Sequence, residues 1–139
     1  MNWLTWALLS ALFAALTAVL AKLGVAGVNS NVATAVRTTV VLGFTWLLAI
    51  PGLRESPLGG LSRRTWLFLA LSGLATGMSW ICYFRALQLG KASQVAPIDK
   101  LSVVLVLLLG ALVLGERLTF REYTGAGLIA AGAIIMALK

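Results

Sequence analysis

Asp99 and Lys100 have the clearest capacity for chemistry, because they sit side by side near the start of SQVAPIDKLSVVLVLLLGALVL, a mostly apolar run from Ser93 to Leu114. A charge within hydrocarbon costs about 2.5 to 3.5 kcal/mol on insertion scales, so an ionisable pair there marks a site and calls for partners. A carboxyl in such surroundings can load and unload a proton or a cation. Pro97, just before Asp99, admits two geometries. If the helix begins at Pro97, whose missing N–H is harmless in a first turn, Asp99 lies near the membrane surface at the positive end of the helix dipole. If it begins near Ser93 and is kinked at Pro97, Asp99 and Lys100 face a wet cavity inside the protein. The second geometry is preferred, since other polar groups in the chain need a common home.

Arg37 is the next such group. It stands about five residues inside an apolar run, roughly 7 to 8 Å along a helix axis. It can snorkel to the headgroups. The second and fourth spans enter from the same side, however, so Arg37 and Asp99 fall at similar depth, and a salt bridge or shared site between them is the preferred expectation. Thr34, Thr38 and Thr45 add hydroxyls to the same span. A third cluster follows at helical spacing: Ser72, Thr76, Ser79 and Tyr83 beside Gly73, Gly77, Trp80 and Phe84. Hydroxyls and large aromatics on one sector suit an amphiphilic or cationic small molecule. Helix packing through a GxxxG contact at Gly73 and Gly77 is the alternative, and both can hold on adjacent faces. Ser102 in the fourth span and Thr17 in the first complete the candidate pathway. Thr17 continues a stripe of Trp3, Trp6, Ser10 and Phe13, in which the two tryptophans serve equally well as interfacial anchors.

The elements that must position these groups are transmembrane helices. The chain has 139 residues, 60% of them hydrophobic and only 11% charged, which is far from the balance of a soluble domain. Apolar runs of spanning length lie at about 3–23, 32–50, 65–89, 93–114 and 120–138, and a helix needs about 20 such residues to cross. The expected fold is an all-α membrane protein with five transmembrane helices in a single domain, 1–139. A net charge of +7 would suggest nucleic acid in a soluble domain, but here the cations gather between the spans and act as topology charges. The first span has no basic start and is too long in its apolar part for a signal peptide.

Catalysis has little to work with. There is no histidine, which removes histidine relays, Ser/His nucleophiles and the common zinc motifs. Acidic residues number four: Glu55, Asp99, Glu116 and Glu122. Thr119 and Glu122 fit a capping box, with Leu118 and Tyr123 as its staple, which assigns Glu122 to structure. Cys82 is the one cysteine and reads as a buried structural thiol. Nothing calls for a cofactor or a metal.

Local signals bound the helices. Lys22 and Gly24 end the first, Asn29 or Ser30 caps the second, and Pro51 and Gly52 stop it. Ser62 caps the third, Gly90 closes it and Gly115 closes the fourth. The segment from Gly52 to Arg64 is a loop outside the membrane. The last span is rich in Gly125, Ala126, Gly127, Ala130, Ala131, Gly132 and Ala133, and small residues at four-residue spacing let helices approach closely. We therefore expect a dimer interface at Gly125, Gly127, Ala131 and Gly132.

Five spans place Arg54, Arg63, Arg64, Arg117 and Arg121 on the side of the N-terminus, and Lys22, Arg37, Arg85, Lys91 and Lys139 on the other. This balance leaves orientation undirected. Two oppositely inserted copies would form an antiparallel dimer imitating the inverted repeat of many transporters. A parallel dimer is the alternative.

From Ala86 to Leu138 the sequence ALQLGKASQVAPIDKLSVVLVLLLGALVLGERLTFREYTGAGLIAAGAIIMAL resembles the EamA domain of the drug/metabolite transporter superfamily. The matching features are the small-residue turn, the proline early in span four, LGE followed by LT, and the glycine- and alanine-rich last span. Arg37 after ATAV fits the same family. The resemblance covers essentially the whole chain and implies one five-helix repeat that moves small metabolites or drugs across the cytoplasmic membrane by alternating access, often driven by an ion gradient. Typical members carry two such repeats in inverted orientation, whereas this chain has one. The leading expectation is thus a homodimeric secondary transporter with a small-molecule substrate, embedded in the lipid bilayer and binding no nucleic acid. The second is a membrane scaffold or accessory subunit in which Asp99, Lys100 and Arg37 form a static salt-bridge network. An intramembrane enzyme is a distant third.

Overall fold

The computed structural model describes residues 2–54 and 57–138. Every regular element among them is helical. In order these are α1 (Trp3–Gly24), α2 (Ser30–Ala49), two short 3-10 turns (Pro51–Arg54 and Leu58–Gly60), α3 (Arg63–Leu89), α4 (Ala92–Asp99), α5 (Ser102–Val113) and α6 (Phe120–Ala137). Four stretches are long and apolar enough to cross a bilayer: α1, α2, α3 and Ala92–Val113, which joins α4 to α5. The α6 helix has 18 residues but spends its first turn on Arg121 and Glu122, so its apolar part is shorter than the roughly 20 residues a full crossing takes.

The chain divides into two compact units, one of Met1–Lys22 with Leu89–Lys139 and one of Leu23–Gln88. In the first, Asn2 starts α1 by accepting from the Thr5 backbone N–H at 3.1 Å. At the other end of α1 the Lys22 ammonium donates to the Gly90 carbonyl at 2.7 Å, a charge-assisted bond that ties the helix to the turn before α4. α4 begins at Ala92, one turn ahead of Pro97, which lies inside it. Beginning the helix at Pro97 is therefore overturned. The span is one broken helix rather than one continuous helix. Proline carries no N–H for the carbonyl four residues back, and beyond it the ladder tightens: the N–H groups of Lys100 and Leu101 donate to the carbonyls of Pro97 and Ile98, each at 3.0 Å. Such three-residue closures cannot extend far, and regular helix resumes at Ser102.

α6 packs against both halves of this broken span. Its more covered side carries Ala126, Ala130, Ala133 and Ala137, spaced four, three and four residues apart, which is one face of a helix. Alanine there lets α6 lie close. The connection into α6 uses Gly115 in the left-handed region (φ +70°), a conformation that costs other residues roughly 1–2 kcal/mol. The chain folds back so that the Glu116 N–H donates to the Gly110 carbonyl at 3.1 Å. The expected capping box is present. Thr119 Oγ1 accepts from the Glu122 N–H, and the Glu122 carboxylate accepts from the Thr119 N–H at 2.6 Å.

In the second unit, Asn29 caps α2 through Oδ1, which accepts from the Asn31 N–H at 2.9 Å. α2 ends at Ala49, and its C-cap Ile50 keeps a right-handed helical conformation and donates to the Trp46 carbonyl as the chain enters the Pro51–Arg54 turn. Ser62 caps α3, accepting from the Thr65 N–H at 3.1 Å. The buried groups cluster where α3 ends beside the turn before α2: Val25, Thr34, Phe84 and Leu87. The Gln88 amide donates to the carbonyls of Val25 and Val28, which satisfies the turn's own backbone acceptors. Arg85 donates in turn to Gln88 Oε1 at 3.2 Å.

Most large apolar side chains face outward, among them Leu112, 81% exposed, and Leu74, 68%. In water such a surface would be an association or aggregation hazard. In lipid it is the expected exterior.

Candidate functional site

Two groups of chemistry-bearing side chains are assembled, one in each unit. In the first unit Asp99 and Lys100 form an ion pair, Oδ2 to Nζ 3.5 Å, with side chains 39% and 56% exposed. Asp99 is the last residue of α4 and Lys100 its C-cap. The pair thus occupies the break in the span. A helix interrupted within a bilayer is tolerated where its freed backbone lies in protein or beside water, and it is the usual device for holding ions in transporters. Ser102 opens α5 and is exposed, while Thr17 on α1 is half-buried.

In the second unit the guanidinium carbon of Arg37 on α2 lies over the ring of Trp80 on α3, 4.2 Å from its centroid, with the Phe84 ring at 5.6 Å. Trp80 and Phe84 are four residues apart and so share a face of α3. Phe84 is buried and backs the site, whereas Trp80, Tyr83 and Arg37 are half-buried. Tyr83 is also an electrostatic neighbour of Arg37. A cation over tryptophan gains up to about 2 kcal/mol when desolvated. That falls short of the cost of an arginine in hydrocarbon and leaves its N–H donors to be met otherwise.

The hydroxyls anticipated as lining are partly committed elsewhere. Thr76 donates to the Ser72 carbonyl at 2.9 Å, and Thr34, Thr38 and Thr45 donate to carbonyls four residues back. A hydroxyl turned onto its own helix meets its donor need internally. Ser79 is exposed. Gly73 and Gly77 have open space where a Cβ would stand, so among the described residues of its unit no helix packs closely onto that GxxxG face. Cys82 is exposed, not buried. On α6, Gly125 is half-buried, while Gly127, Ala131 and Gly132 are exposed on the sides turned away from the alanine face.

Sequence reasoning missed the arginine–aromatic pairing, although its signal was legible. Trp80 and Phe84 stand in one column at helical spacing, and Arg37 in the next span is read toward the headgroups or Asp99 and not toward that column. Among the described residues no group of three or more His, Cys, Asp or Glu side chains could hold a metal ion.

No solved structure matches the chain. A Sinorhizobium sp. protein with the name "Uncharacterized transporter in cobO 3'region" is 55% identical over 138 residues, covering 99% of this chain and 97% of that relative. Residues 1–138 match the EamA-like transporter family. With that match running across both side-chain groups and every helix, the chain belongs to the EamA-like transporter family.

Proposed function

We infer that the protein is a secondary active transporter of small metabolites or drugs, working by alternating access as a homodimer in the cytoplasmic membrane. The observation that carries this reading is the broken fourth span, which holds the Asp99–Lys100 pair at its interruption. Alternating access needs two arrangements of similar energy, and an ion bound at a charged pair can favour one over the other. Asp99 is the proton or cation site. Lys100 balances its charge. Thr17, Ser102, Thr76, Ser79, Trp80 and Tyr83 line the path. α6 serves as a short fifth crossing, its 18 residues lying near the lower end of the range of about 17–25 that spanning helices use, with Gly127, Ala131 and Gly132 against a second copy and Gly125 at the edge of that contact.

The test is flux in proteoliposomes under an imposed proton gradient, comparing wild type with Asp99→Asn. Loss of gradient-driven uptake in a variant that still folds and assembles supports the carboxylate as coupling site. Unchanged uptake removes it. Compartment-sensitive tags placed separately at each terminus decide the assembly. Each terminus found on both sides supports an antiparallel dimer, and a single orientation favours a parallel one.

A further inference from the structure

Among the described residues of its own unit Arg37 faces no carboxylate. Residues 23–88 contain Arg37, Arg54, Arg63, Arg64 and Arg85 but only one acidic residue, Glu55, which lies outside the described residues. Among the described residues the contacts of Arg37 are the rings of Trp80 and Phe84 and the electrostatic neighbour Tyr83. A guanidinium carries five N–H donors in a planar fork, and a ring beneath it accepts none of them in the manner of an oxygen. The chemistry that completes such a group is a planar oxyanion bound through two parallel N–H···O bonds.

We propose that Arg37, Trp80 and Tyr83 recognise an organic anion, a small molecule with a carboxylate and an apolar or aromatic body. The carboxylate meets the guanidinium fork, and the body lies along the half-buried rings of Trp80 and Tyr83. A cationic substrate is disfavoured there for two reasons. The electron-rich face of Trp80 is already covered by a fixed cation 4.2 Å away, and a second cation would be repelled by the first. This assigns the substrate class and rests on the transporter reading, although recognition is measurable without transport.

The experiment is calorimetric titration of the purified full chain in detergent with 3-phenylpropionate and with 3-phenylpropylamine, ligands of similar shape and opposite charge. The expected result is that the acid binds and the amine binds about tenfold more weakly or not at all. Arg37→Gln should weaken the acid about tenfold or more, and Arg37→Lys by less, since it keeps the charge and loses the fork. Equal binding of acid and amine by wild type overturns the proposal without recourse to any variant. So does failure of the acid to bind, or undiminished binding in Arg37→Gln.

An anionic lipid headgroup presents related oxyanion chemistry, so the titration is repeated in nanodiscs of phosphatidylcholine alone and with phosphatidylglycerol. Competition by phosphatidylglycerol, with that lipid retained by wild type and lost from Arg37→Gln in native mass spectra, confirms the anion site even as the two ligands share it. Retention of the lipid with no binding of the acid makes the lipid the ligand and overturns a solute site. If the acid binds but is not carried into proteoliposomes, the transport reading fails while the anion site stands.

Discussion

The guanidinium carbon of Arg37 lies 4.2 Å from the ring centroid of Trp80, joining α2 to α3 by an arginine–aromatic contact instead of an ion pair. A desolvated contact of this kind is worth about 2 kcal/mol. A double-mutant cycle of Arg37→Gln and Trp80→Leu, read by denaturant titration in mixed micelles, should therefore give a coupling of about 1–2 kcal/mol. Strictly additive losses would show that the two side chains are near each other without interacting.

Pro97 lies inside α4, three residues before the break begins at Lys100. Pro97→Ala restores an N–H that can donate to the Ser93 carbonyl and removes the ring that crowds that turn, so α4 loses its own irregularity. The variant should be at least as stable as wild type by thermal denaturation while its flux falls severalfold. Unchanged flux would mean that the proline in α4 has no part in the cycle.

Thr119 and Glu122 hold the first turn of α6 through a reciprocal cap. Thr119→Ala should cost about 1 kcal/mol. Hydrogen exchange should show faster opening confined to the first turn of α6, and protection spread evenly over the helix would contradict a local cap.

Gly115 adopts φ +70°. Gly115→Ala should destabilise by about 1–2 kcal/mol. Gly110→Ala makes the contrasting control: its Cβ would meet Glu116 Oε2 at 2.7 Å, and because that atom ends a flexible, exposed side chain it can swing away. A Gly110→Ala variant less stable than Gly115→Ala would reverse this ranking of backbone strain over side-chain crowding.

Much of the architecture is determined by the sequence alone. Length and apolar runs make α1, α2, α3 and the fourth span, because a segment of about 20 apolar residues in lipid has to satisfy its backbone internally and helix is the solution available to a single segment. Asn29, Ser62, Thr119 with Glu122, and Gly115 set helix ends through bonds that reach only a few residues, so they too are local. The tertiary structure decided three matters. It placed the start of α4 at Ala92 and its break after Asp99, because a proline tolerates either a first turn or a disrupted interior and only packing against α6 distinguishes them. It sorted the small residues of α6 into a covered alanine face and exposed positions at Gly127, Ala131 and Gly132, which periodicity cannot do when every face is small. And it set Arg37 over Trp80, since which partner a lone cation finds depends on how two helices are turned about their axes, a choice that spacing along either helix leaves open.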